Sequence, residues 1–290
     1  MARELLEEDG DSQEFLAEAE QRLDIPLGRL MLEGPEAELQ ATQYAQPAIV
    51  FHSLALLRKV SADGPEPVAV AGHSLGEFPG LVAAGGLQAF DALLAVKARG
   101  QAMAAAARSG SGMMAVLGLD DDAVDQVCSR VPGVVAANYN SPGQVVLSGT
   151  DAGLQAARVE LERAGARRLV RLPVSAAFHS PLMVEAARTF GAAWAGIPLQ
   201  PLRLRQVFNA DAQVHLDPAE VRQLMVGQLT GPVRWTQSVL RLRELGAATF
   251  VEIGPGRTLT GLVKKIVPGA VLHNIDGMSS LNAFLQVARV

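Results

Sequence analysis

Apolar residues recur at helical spacing near the start of the chain. Phe15, Leu16 and Ala19 within residues 12–22, and Leu23 just after them, fall on one face, and residues 46–59 repeat the pattern with Pro47 placed to open a helix. The first strand signal is Pro67-Val68-Ala69-Val70-Ala71, a short apolar run stopped by Gly72. Helical spacing returns over 77–84 and again over 90–107, where Ser109-Gly110-Ser111-Gly112 breaks it.

Beyond that break the rhythm changes. The spacing predicts strands over 113–119, 134–138, 144–148 and 168–174, with helices over 121–131 and 152–164. Read in order this is βαββαβ, the ferredoxin-like split pattern, closed by Pro173. The expected fold is therefore α/β, with an inserted ferredoxin-like small domain over 111–175 and a main domain over 1–110 and 176–290. From residue 180 helices and short strands resume, including a strand over 249–253 that ends at Gly254-Pro255-Gly256.

Composition narrows the function classes. A chain of 290 residues that is 49% hydrophobic and 19% charged can bury a full core. A net charge of -5 gives no general pull toward nucleic acid or an anionic membrane. No stretch of about 18 apolar residues is present to span a bilayer, and the acidic start, with Glu7-Glu8-Asp9, is unlike a targeting peptide, so a cytoplasmic protein is expected. Cys128 is the only cysteine, which excludes an internal disulfide and a multi-cysteine metal site and fits a reducing compartment.

The candidate chemistry lies where the first strand should meet a helix. Gly72-His73-Ser74-Leu75-Gly76 is a G-x-S-x-G, which in that context reads as the nucleophile elbow of an α/β-hydrolase-like main domain. Such a turn strains Ser74 so that its hydroxyl points outward, requires Gly72 and Gly76 for close approach, and aims the Leu75 N–H at an oxyanion. A serine needs a base, and five histidines are available. His52 reads as packed in a helix, and His73 as a structural or substrate-lining residue beside the nucleophile. His179, in a loop returning from the inserted unit, and His215 and His273 remain. His273 with Asp211 or Asp217 would suit an ordinary serine hydrolase.

Four spaced segments now bear on the choice: Gly72-His73-Ser74-Leu75-Gly76-Glu77, Asn138-Tyr139-Asn140-Ser141-Pro142-Gly143-Gln144, Phe178-His179-Ser180-Pro181-Leu182-Met183 and Glu252-Ile253-Gly254-Pro255-Gly256. Together, and in this order, they resemble the malonyl-CoA:acyl carrier protein transacylases over nearly the whole chain. The resemblance implies transfer of a malonyl group from coenzyme A to the phosphopantetheine thiol of an acyl carrier protein, supplying extender units for fatty acid or polyketide synthesis. It implies Ser74 as nucleophile, His179 as its base, a backbone carbonyl at Gln228 that orients the histidine, and Arg99 as partner of the malonyl carboxylate. Gln46 matches a pocket glutamine, and Phe178 matches the aromatic form of the motif associated with malonyl rather than methylmalonyl groups.

By the same resemblance no metal or tightly held cofactor is expected, the partners are malonyl-CoA and an acidic carrier protein, and the chain is a monomer. Arg167, Arg168, Arg171, Arg234, Arg257, Lys264 and Lys265 are candidates for carrier docking. One departure stands out. Members of this family begin with a strand and a Gly-Gln-Gly-type loop that supplies a second oxyanion donor, whereas residues 1–5 here already read as the first helix. That predicts a missing N-terminal strand, and hence a truncated chain or a weakened, carrier-binding homologue. A hydrolase or thioesterase is the other alternative.

Overall fold

The computed structural model describes residues 1–174 and 176–288; Ser175, the expected last residue of the inserted unit, lies outside them. The chain is mixed α/β. Its larger lobe is dominated by two long helices, Thr42–Asp63 and Ala89–Ala105, packed against each other, with Val184–Ala195 against the second. Pro47 does not open the first of these; it sits inside, after five residues of helix. Burial of Gln46, Pro47 and Ala48 offsets the one backbone bond that the proline removes.

Strand β1 is Val70–Ala71, shorter than the expected 67–71. Its hydrogen-bonded neighbour β6, Gln206–Val207, is only two residues long, and Val68 is left 49% exposed before the pairing begins. β6 lies parallel to β1 and antiparallel to β7, Val214–His215. A separate parallel pair, β8 (Thr249–Ile253) and β9 (Val271–Ile275), packs near β1 through Phe250 and Ala71. The core between these layers is aromatic. Phe78 meets Phe190 and Trp194 edge-on at 6.1 and 5.9 Å, which anchors the short helix Glu77–Ala83 that follows the G-x-S-x-G.

The smaller unit contains β2 (Ser111–Leu117), β3 (Val134–Ser141), β4 (Gln144–Thr150) and β5 (Arg168–Arg171), in the spatial order β3-β4-β2-β5 with every pairing antiparallel. Helices Asp121–Arg130 and Asp151–Arg163 follow β2 and β4, and their apolar faces close a core around Val116, Val124, Leu147, Leu154 and Leu161. Both helices open on side-chain caps, Asp120 onto the Ala123 N–H and Thr150 onto the Gly153 N–H. The end of β3 is tied to the larger lobe, because Tyr139 N donates to Val233 O at 2.9 Å and Val233 N to Ala137 O at 2.8 Å. No helix among the described residues is long and apolar enough to cross a membrane.

Candidate active site

The turn after β1 is built around an absence of side chain at one glycine. A Cβ on Gly72 would lie 1.9 Å from the Gly76 carbonyl carbon, so only glycine fits. Gly76, expected to be needed for the same reason, has an ordinary helical backbone, and a Cβ placed there would meet nothing within 4 Å. The crowding is one-sided: Gly72 approaches the Gly76 backbone, and the outward side of Gly76 is open. Ser74 takes φ 50°, a conformation that a non-glycine residue adopts only when its surroundings over-determine it. Asn209 is the over-determining residue. Its Oδ1 accepts from Ser74 N at 2.6 Å while its Nδ2 donates to Gly72 O at 2.7 Å, bracing the turn on both sides of the serine.

His179 reaches this turn from the segment that follows β5. Its own φ is 56°, held by a buried local turn in which Ser180 Oγ donates to Ala177 O at 2.6 Å and accepts from Leu182 N at 3.2 Å. Nδ1 donates to the Gln228 backbone carbonyl at 2.8 Å. A carbonyl can only accept, so the proton is on Nδ1 and the Nε2 lone pair faces Ser74 Oγ, 2.8 Å away. Burial, with the Arg99 charge beside it, pushes His179 down to about 3, so the ring is neutral at neutral pH and its Nε2 lone pair is free to accept from Ser74.

Arg99 approaches the serine from helix Ala89–Ala105 and is only 2% exposed. Its Nη1 donates to Gln46 Oε1 at 2.7 Å, and Nη2 donates to Ser74 Oγ at 3.0 Å and Gln228 Oε1 at 2.9 Å. Gln46 is held in turn by Met103 Sδ at 3.4 Å from its Nε2. Burial lowers Arg99 to about 10, which leaves it cationic at neutral pH, and its Nε has no hydrogen-bond partner. A buried cation with an unused N–H beside a serine hydroxyl is a seat for an anion.

Gln228 is the hub. Beyond its carbonyl on His179 and its Oε1 on Arg99, its Nε2 donates to Ser74 O at 3.0 Å and to Glu77 Oε2. Glu77 and Asn209 are the residues that sequence reasoning missed. Glu77 stands in the quoted motif without a role assigned to it, and Asn209 carries no local signal at all. Glu77 is 1% exposed, its Oε1 accepts from Asn209 N at 2.5 Å, and burial pushes its carboxyl up to about 8.

The remaining predicted residues fall into two groups. Leu75 is half-buried beside Ser74 and packs on the main core. Phe178 is half-buried between the cores of the two lobes. His73 turns away from Ser74: its Nε2 donates to Asn140 Oδ1 at 2.8 Å and its ring lies 5.5 Å from Trp235, so Asn140 ties the smaller unit to the Ser74 turn. Away from the site, His52 is buried against Asp276 O, and His215 pairs with Asp211 at 2.8 Å and Glu220 at 3.0 Å. His273 packs on Phe284 from β9. The Ser–Asp–His alternative is thus not assembled, since its aspartate and histidine are engaged elsewhere. Burial raises Cys128 to about 12, far from nucleophilic, and no cluster of three metal-ligating side chains occurs among the described residues.

An acyl transferase domain family matches residues 1–273. A malonyl CoA-acyl carrier protein transacylase of Bacillus subtilis is 39% identical over 271 residues, spanning 92% of this chain and 86% of the relative. Among solved structures, the malonyl-CoA:acyl carrier protein transacylase of Xanthomonas oryzae superposes with a TM-score of 0.95 at 39% identity, over 99% of this chain and 93% of that one. A type II PKS acyl-carrier protein in complex with its malonyl-transacylase matches with a TM-score of 0.95 at 36% identity, over 99% of this chain and 94% of that one.

Proposed function

This chain belongs to the malonyl-CoA:acyl carrier protein transacylase family of acyl transferases, and on that premise we propose that Ser74 carries a malonyl group from coenzyme A to the phosphopantetheine thiol of an acyl carrier protein. In the first half reaction His179 Nε2 takes the Ser74 proton as Oγ attacks the thioester carbon, and the Leu75 N–H faces the resulting oxyanion. The tetrahedral adduct collapses, the carbon–sulfur bond breaks, and the proton on His179 passes to the departing coenzyme A thiolate. In the second, His179 deprotonates the carrier thiol, whose sulfur attacks the malonyl-serine ester, and Ser74 leaves with the proton. Gln228 keeps the imidazole in the required tautomer throughout, a role that a carboxylate fills in other serine enzymes.

The observation that carries the malonyl assignment is the buried Arg99 guanidinium, 3.0 Å from Ser74 Oγ with a free Nε. Nε and Nη2 form one edge of the guanidinium, suited to a bidentate carboxylate. Once Ser74 is acylated its ester oxygen is a poor acceptor, so Nη2 is released to join Nε on the malonyl carboxylate. Gln46 fixes the opposite edge, and Phe178 narrows the acyl pocket toward an unbranched group.

In the same reading the larger lobe, over 1–110 and 176–290, is α/β-hydrolase-like and the unit over 111–175 is a ferredoxin-like insertion. The strand–turn–helix around Ser74 and the β3-β4-β2-β5 order support it. The chain acts as a cytoplasmic monomer without a resident cofactor and docks an acidic carrier. The deciding experiment is intact-mass measurement after incubation with malonyl-CoA. We expect a malonyl adduct that is lost in Ser74→Ala and discharged by added carrier protein; steady release of coenzyme A with no acceptor and no adduct would instead identify a hydrolase.

A further inference from the structure

Glu77 and Arg99 are the two ionisable side chains of opposite sign buried together beside the nucleophile, at 1% and 2% exposure. They do not form an ion pair. Each bonds one end of the same carboxamide: Gln228 Oε1 accepts from Arg99 Nη2 at 2.9 Å, and Gln228 Nε2 donates to Glu77 Oε2. The second carboxyl oxygen accepts from Asn209 N at 2.5 Å. Two donors favour the ionised carboxylate, while burial opposes it. The charged groups facing Glu77 are Arg99 from helix Ala89–Ala105, which favours ionisation, and Asp211 from the loop after β6, which opposes it. Glu77 is therefore balanced between its two states, with one amide group between it and the cation that seats the acyl carboxylate.

We propose that Glu77 is the internal counter-anion of the acyl site, competing with the acyl carboxylate for Arg99, so that seating a dicarboxylic acyl group is coupled to protonation of Glu77. The proposal rests on the malonyl reading above. In the acyl-free site Glu77 is largely protonated below about pH 8, and above it the ionised carboxylate compensates the buried guanidinium. When a malonyl carboxylate arrives, two anions would share one cation, and Glu77 takes up a proton from solvent, becoming a neutral acid that returns the proton when the acyl group leaves. A neutral acyl group such as acetyl brings no second anion and requires no proton. Glu77 is a positioning residue that acts through Gln228 and Arg99 and discriminates acyl charge by proton linkage.

The sign follows from Glu77 titrating at about 8 in the folded protein. As pH rises through that value the carboxylate ionises, competition for Arg99 grows, and malonyl binding weakens. The test is KM and kcat for malonyl-CoA between pH 6.5 and 9, in the unaltered chain and in Glu77→Gln. We expect KM of the unaltered chain to rise about fivefold across this range, on the way to the tenfold limit of about one pK unit of coupling, with kcat little changed. Glu77→Gln keeps KM flat. An identical alkaline rise in Glu77→Gln, or a flat profile in the unaltered chain, overturns the proposal.

Should Glu77→Gln fail to fold, calorimetry of malonyl-CoA and acetyl-CoA binding to Ser74→Ala at pH 8, in two buffers of different ionisation enthalpy, reads the proton directly. Greater uptake with malonyl-CoA supports the coupling, and equal uptake removes it. Absence of any malonyl adduct on the unaltered chain at every pH would overturn the functional reading and this proposal with it, whereas pH-independent loading removes only the role of Glu77.

Discussion

In the four-stranded unit, every described residue with positive φ is a glycine: Gly118, Gly133, Gly143 and Gly165. Its helices begin on Asp120 and Thr150 caps, and its ion pairs, such as Arg163–Glu160 and Arg171–Asp151, sit at the surface. Around Ser74 each of these rules is broken. Ser74 and His179 occupy the left-handed region without being glycines, the turn into helix Glu77–Ala83 has no side-chain cap, and Arg99 and Glu77 are buried without an ion pair. The two strained residues each cost on the order of 1–3 kcal/mol, and the strained pair is the one whose side chains meet at 2.8 Å. Ala2, Asp24 and Ala212 also carry positive φ in the larger lobe, but only Ser74 and His179 bring their side chains together, and the regular unit beside them supplies β3 and Asn140 as a wall.

The contrast can be broken most forcefully at Arg99. Arg99→Lys should lower kcat/KM for malonyl-CoA by about 100- to 1000-fold, because a single ammonium cannot hold Gln46, Gln228 and the acyl carboxylate together. Loading of acetyl-CoA should fall much less; equal losses for both substrates would reduce Arg99 to a structural role. The next effect is on stability. Gly72→Ala should destabilise the chain by about 3 kcal/mol through the clash with the Gly76 backbone, whereas Gly76→Ala should change stability by under about 0.5 kcal/mol, both read by denaturant unfolding. The smallest effect belongs to the regular unit. Asp120→Ala should cost about 1 kcal/mol by loss of the cap and leave malonyl kcat/KM unchanged. An activity loss there would show that the unit does more than support the site.

Much of the smaller unit was legible because its information is local: apolar period, cap and turn residues lie within a few positions of the elements they specify. Expected and observed strand ends differ by a few residues, as at β5, which stops at Arg171 and not 174. The Ser74 turn was legible for the same reason, since Gly72 and Ser74 belong to one short motif. The shortness of β1 and the place of Pro47 inside its helix were not, because pairing and burial with distant segments decided both.

By itself the sequence determined the order of elements, the Ser74 turn and, through the resemblance of four segments to one family, the positions of His179, Arg99 and Gln228. Only the tertiary structure decided that Asn209 braces the Ser74 turn and that Glu77 shares Gln228 with Arg99. The physical reason is separation along the chain. Gln228 reaches Ser74 across 154 positions and Arg99 across 129, and Asn209 reaches Gly72 across 137. A buried polar network of that span leaves no periodicity in the sequence; it exists only once the core has brought its members together and removed the water that would otherwise satisfy them.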